Sequence, residues 1–287
     1  MSLLEQTGEW ASISNNIQIH ISFVGVILNL LHISILSQKN LRSSAANILI
    51  IGIAISDILY PFYYVKYGIE TLMNRNVPRE CIPPKSFLNV IVNWVLLILR
   101  DTFRRVSLWL GIFLATIRFL VTKYPMNHTI QILMKTESSW TGFIWISLLS
   151  LLITGINNGR LVIAENKRWI PENICTMYPP NSTFPDFEIV HNLLFDNYQS
   201  QISASYLFID AILQLIPSVL YPFLAAALLI QLKTLKNSRK VMMKKEENGE
   251  TAYVILCMTI AYFLAGTPYA CSEFHYSFVP SEDLGVQ

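Results

Sequence analysis

The chain has 287 residues, of which 53% are apolar and 14% charged, and its net charge is +2. A soluble globular chain carries about 25% charged residues, and the charges here are clustered, which leaves long windows with none. An α-helix crosses a hydrocarbon core of about 30 Å with roughly 20 apolar residues, so the composition excludes a soluble domain and predicts an all-α membrane protein surrounded by lipid, with nothing that points to nucleic acid.

Taken in chain order, residues 1–16 hold Glu5 and Glu9 but no Lys or Arg. Without a basic n-region they predict no cleavable signal peptide, and they are expected to form an extracellular N-terminus. A transmembrane bundle is expected over 17–274, in six windows, followed by a polar tail at 275–287. The windows are rich in Leu, Ile and Phe and lack the alternation of a β-barrel. The first, Ile17–Leu36, contains Asn29. The second, Ala46–Val65, contains Asp57 near its middle, then Pro61. Polar groups at this depth are costly. The pair either shares a network with waters or a sodium ion, or acts as polar glue between helices.

The third window, Phe87–Val121, reads Arg100-Asp101-Thr102-Phe103-Arg104-Arg105 in its middle, between apolar runs of 13 and 12 residues. Neither run is long enough to span alone, so one long helix is predicted. On it Asp101 can pair with Arg104 or Arg105 along one face. Three cations against one anion leave an arginine needing another partner, and Asp210 near the outer end of the fifth helix is the candidate. These five residues either line a ligand pocket or form a buried structural ion network. Arg118, near the inner end, is either a snorkelling anchor or a residue with a special role. The fourth window is Thr141–Leu161. The fifth, Ile202–Leu232, holds Pro217 and Pro222, and the sixth, Thr251–Phe274, holds Pro268. Prolines remove a backbone hydrogen bond and kink membrane helices, with neighbouring helices satisfying the freed carbonyls.

Orientation follows from Lys and Arg near the helix ends. Lys233, Lys236, Arg239, Lys240, Lys244 and Lys245 follow the fifth window, and Lys39 and Arg42 follow the first. Against them, Lys66, Arg75, Arg79 and Lys85 follow the second window, and Arg160, Lys167 and Arg168 follow the fourth. The balance predicts an outside N-terminus. Asn181-Ser182-Thr183 then becomes a lumenal glycosylation acceptor, while Asn127-His128-Thr129 falls on the inner side. Cys81 and Cys175 lie in two outer loops, where disulfides persist. They form a bridge or remain two free thiols. Cys257 and Cys271 read as small buried apolar residues.

The stretches AANILIIGIAISDI and RDTFRRVSLWLGIFLATIRFLVTKYPMN resemble the nematode serpentine receptor class w chemoreceptors, as do NLLHISIL, LQLIPSVLYPFL and TAYVILCMTIAYFLAGTP. That family is similar to FMRFamide-type peptide receptors of the rhodopsin class. The resemblance implies a rhodopsin-like bundle in which Asn29 and Asp57 hold a sodium and water network. It implies that Arg118 stands at the Arg of the helix-three Asp-Arg-Tyr motif, although here its neighbours are Ile117 and Phe119. Cys81 and Cys175 match the bridge between the top of helix three and the second outer loop, with a longer gap of 37 residues to Arg118. Pro268 matches the helix-six proline, with Gly266 where a Trp is expected. No seventh helix follows Phe274, so a shortened form is expected.

Three functions follow. The first is a chemoreceptor or neuropeptide receptor that senses an extracellular peptide or small molecule and engages a heterotrimeric G protein through Arg118 and the basic stretch containing Lys233, Lys236, Arg239 and Lys240. The second is a transporter or channel, which predicts a polar stripe or inverted repeat that the chain does not display. The third is a non-signalling partner that retains full-length receptors in the endoplasmic reticulum. His20, His32, His128, His191 and His275 have no metal-ligand spacing, so neither an enzyme nor a cofactor is expected.

Overall fold

In the computed structural model, residues 3–38, 44–124, 126–172, 174–179, 182–192 and 198–240 are described. Their elements run α1 (Leu3–Leu36), α2 (Ala45–Leu59), α3 (Phe62–Met73), α4 (Phe87–Lys123), α5 (His128–Leu133), α6 (Thr136–Asn158), β1 (Leu161–Trp169), β2 (Phe184–His191) and α7 (Gln199–Lys240). Five segments are long and apolar enough to cross a membrane: Ile17–Leu36, Ala45–Met73, Phe87–Lys123, Thr136–Asn158 and Gln201–Gln231. They match the first five windows. The sixth window, Thr251–Phe274, lies outside the described residues, as do the tail, the matching Pro268 and the departure at Gly266.

α4 is the central column. It packs against α2, α6 and α7, while α1 lies against α2 and α3. Leu49, Val106, Leu110 and Ile117 form the buried core, with Ile53, Phe103, Phe113 and Phe143 around it. Outward, Ile21, Leu28, Leu31, Trp145, Leu149, Leu152, Ile156 and Phe223 are exposed. Inward, Ser56, Thr102, Arg105, Thr154, Asp210, Gln214 and Ser218 are buried. Lipid tails are as apolar as leucine, so packing, small side chains and hydrogen bonds decide which faces meet. Gly52 illustrates this: a Cβ there would stand 3.1 Å from Phe143 and 3.2 Å from Leu110, at the point where α2, α4 and α6 converge.

Three boundaries depart from expectation. α1 begins at Leu3, well inside the N-terminal segment expected to lie beyond the bundle. The second helix breaks at Tyr60-Pro61 and continues as α3 to Met73. Lys66, expected in an outer loop, therefore sits on a helix. It pairs with Glu70 one turn on and donates to Asn89 at 2.6 Å and Asn93 of α4. Those partners satisfy the ammonium and support the added turns. Finally, α7 extends to Lys240, so the stretch from Lys233 to Lys240 is helical rather than a loop.

The connection between α6 and α7 folds as an antiparallel hairpin, in which Leu161 faces His191 and Trp169 faces Phe184. Tyr178 packs edge to face on Trp169 and on Phe184, which meet each other at a tilt, with centroids 5.5–5.9 Å apart. Phe187 meets Phe87 at the head of α4 at 5.4 Å.

Candidate functional site

The hairpin is tied to the N-terminal end of α4 by covalent chemistry. Cys81 and Cys175 are bridged, with Cα atoms 5.4 Å apart, and Tyr178 donates from its hydroxyl to the Cys81 carbonyl at 3.2 Å. Cys81 closes a short turn, Arg79–Cys81, ahead of α4. This accounts for the long gap to Arg118: the cysteine precedes the helix instead of lying on its first turn. The acceptor Asn181 lies outside the described residues. Asn127 caps α5, its side-chain oxygen accepting from the Thr129 amide at 2.9 Å.

Below the hairpin, a charged network joins α4 to α7. Arg104 Nη2 donates to Asp210 Oδ2 at 2.8 Å, and Arg105 Nε stands 2.9 Å from Asp210 Oδ1. Gln214, one turn further along α7, donates to Asp210 Oδ2 at 2.7 Å. Arg105 also donates to the Thr154 hydroxyl of α6 at 2.8 Å and to the Tyr206 hydroxyl of α7 at 3.1 Å. Thr102 reaches the same Thr154 at 3.1 Å. A desolvated guanidinium is tolerable at this depth because a carboxylate and several oxygens surround it.

Asp101 does not take the partner that spacing suggested. It accepts from Arg100 Nε at 2.9 Å, whereas Arg104 and Arg105 both turn to Asp210. The physical reason is burial. The Arg105 side chain is 1% exposed and so is Asp210, while Asp101 lies on a more open part of α4 at 18%. The sealed carboxylate takes the sealed Arg105, and Arg104 reaches it from the more open side. Arg100 in turn lies over the Tyr63 ring of α3, 5.3 Å from its centroid.

Asp57 accepts from the Ser107 hydroxyl of α4 at 2.6 Å. Asn29 donates to the Gly25 carbonyl in its own helix at 3.0 Å. No hydrogen bond joins Asn29 to Asp57 among the described residues, because each amide or carboxylate is satisfied by the nearer group. At the other end of α4, Thr122 donates to the Arg118 carbonyl at 2.7 Å. Lys123 lies over the Phe119 and Tyr124 rings, at 5.5 and 5.2 Å.

The participation of Thr154, Tyr206, Gln214 and Ser107 had no sequence signal beyond a polar residue inside an apolar window. The same holds for Trp109, whose indole donates to the Leu213 carbonyl of α7 at 3.1 Å. That carbonyl is the one Pro217, four residues on, cannot engage.

The family profile described as "Serpentine type 7TM GPCR chemoreceptor Srw" matches residues 16–287, nearly the whole chain. The chain belongs to that family. A comparison with curated proteins finds no match. Membership in the Srw family makes this a multi-pass membrane protein of the G-protein-coupled chemoreceptor class, and the helical bundle with its disulfide-bridged loop agrees with it.

Proposed function

We propose that this Srw protein is a plasma-membrane chemoreceptor. An extracellular peptide or small molecule enters beneath the hairpin and binds the network of Arg100, Asp101, Arg104, Arg105 and Asp210. The bundle then passes the change to a heterotrimeric G protein. The observation that carries this reading is the ion network itself. It lies toward the disulfide-tied end and bridges α4 and α7, two helices whose other ends hold Arg118 and Lys233. Arg100 and Arg118 are separated by about 27 Å at 1.5 Å per residue, close to the thickness of a hydrocarbon core.

The ligand must favour the active arrangement of α4 against α7 over the resting one. Arg118 and the helical positions of Lys233, Lys236, Arg239 and Lys240 form the G-protein-facing end. Positions 233, 236 and 240 recur at helical spacing and share a face. Asn29 and Asp57 hold waters or a sodium ion between these ends, and the N-terminus and Asn181 lie outside.

Cells displaying the full chain with an N-terminal epitope test the reading. The epitope is expected to be accessible without permeabilisation, and one glycan is expected to disappear with Asn181→Gln but not with Asn127→Gln. Extracellular extract fractions should give a second-messenger response that Arg104→Ala removes at equal surface density. An epitope reached only after permeabilisation, or a response unchanged by Arg104→Ala, would count against it.

A further inference from the structure

The charged residues of the outer network do not share one task, and their exposure separates them. Arg105 and Asp210 are sealed at 1% each, whereas Arg104 is 15% exposed, Asp101 18% and Arg100 26%. Arg105 donates to Thr154, Tyr206 and the Ser150 carbonyl and forms an ion pair with Asp210. Arg100 is different. It contacts Asp101 through Nε alone, and its two terminal nitrogens donate to no protein group among the described residues. Adjacent residues on a helix do not face each other, so Asp101 can take one edge of this guanidinium and leaves the fork at its tip open.

The charge count points the same way. Among the described residues at this level, Arg100, Arg104 and Arg105 stand against Asp101 and Asp210, three positive charges to two negative. Lys66, further out on α3, is matched by Glu70. Asp57 lies deeper and is engaged by Ser107. Tyr63 lies against Arg100 and packs on Tyr64 at 5.4 Å, so one wall beside the fork is aromatic.

We infer that the site takes a ligand bearing a carboxylate, which the open fork of Arg100 binds with Arg104 beside it, next to an apolar body that meets Tyr63. A guanidinium offers parallel N–H groups that fit a carboxylate bidentately, and an ionised pair of this kind is roughly twice as strong as a neutral hydrogen bond. The added anion brings the local sum to zero in a region where unbalanced charge is costly. Asp101 orients Arg100 through Nε and repels an anion placed on its own side, which fixes the approach to the fork. Arg105 and Asp210, the sealed members of that network, hold α4 against α7 beneath the carboxylate. This inference rests on the receptor reading for its location but makes a separate chemical demand.

The test uses the full chain in lipid nanodiscs and a matched pair of probes, N-acetylphenylalanine and N-acetylphenylalanine amide. They share an aromatic body and differ in charge. The carboxylate is expected to raise the unfolding temperature in a saturable manner and the amide is not. Arg100→Gln should weaken the carboxylate by about 10-fold or more, and Arg100→Lys should recover part of that loss by restoring charge without the fork. Equal stabilisation by both probes, stabilisation by neither, or a carboxylate effect that survives Arg100→Gln would overturn the inference. The wild-type comparison decides even if a variant fails to fold. G-protein nucleotide exchange is read in parallel. Carboxylate binding without exchange would count against the receptor reading alone, and an agonist that is neutral or cationic would remove the carboxylate and leave the receptor.

Discussion

At the scale of single residues, the arginine-rich stretch has two jobs that only burial distinguishes. Removing one partner of a buried ion pair strands the other charge and typically costs about 3–5 kcal/mol. Asp210→Ala strands both Arg104 and Arg105, so it should destabilise the chain by at least that range in a thermal unfolding assay. The Asp210→Ala, Arg105→Ala double variant should be less damaging than the sum of its parts, and strict additivity would show that the two residues are uncoupled. Asp101→Ala should cost less, because its partner Arg100 remains partly exposed. The presence of a polar cluster was legible in the sequence, since six consecutive residues from Arg100 to Arg105 interrupt an otherwise apolar window. Its pairing was not. Asp101 and Asp210 were both within plausible reach, and the choice depends on how α4 is rotated against α7, which spacing along one helix does not encode.

At the scale of elements, α7 keeps its helix through Pro217 because α4 supplies the missing donor. Trp109→Phe removes the indole N–H and leaves the Leu213 carbonyl unsatisfied, which costs about 1–3 kcal/mol for a buried acceptor. Pro217→Ala restores a backbone N–H to that carbonyl. In a Pro217→Ala background, Trp109→Phe should therefore cost little, and an equal cost in both backgrounds would show that the indole matters for packing alone. The prolines themselves were legible, and so were the five described spans, whose apolar runs are close to bilayer length. The outer hairpin was not. Leu161 reads as the end of the fourth apolar window, and a long connection separates β1 from β2 where a tight Gly-containing turn would have marked a hairpin. The helical course of Lys233–Lys240 was hidden for a related reason: a run of cations looks like a solvated loop, although lysine and arginine are good helix formers.

At the scale of the whole molecule, the Cys81–Cys175 bridge spans 94 residues of sequence and fixes the hairpin over the outer end of α4. Native disulfides in small secreted domains contribute about 2–5 kcal/mol. Cys81→Ser, Cys175→Ser and the double variant should lose surface display to the same extent, because each breaks one shared bond. A double variant markedly worse than either single would show independent roles for the two sulfurs. Beneath that bridge, α4 and its packing on α7 connect the arginine network to Arg118 at the far end of the same helix. Nucleotide exchange by a heterotrimeric G protein, measured on the full chain in nanodiscs while ligand binding is followed on the same sample, tests this most directly. Arg118→Ala is expected to abolish ligand-stimulated exchange and leave binding within about 3-fold of wild type, whereas Arg104→Ala should weaken binding by about 10-fold or more. Exchange that persists in Arg118→Ala, or a wild-type chain that binds ligand at the outer network and never stimulates exchange, would contradict the account.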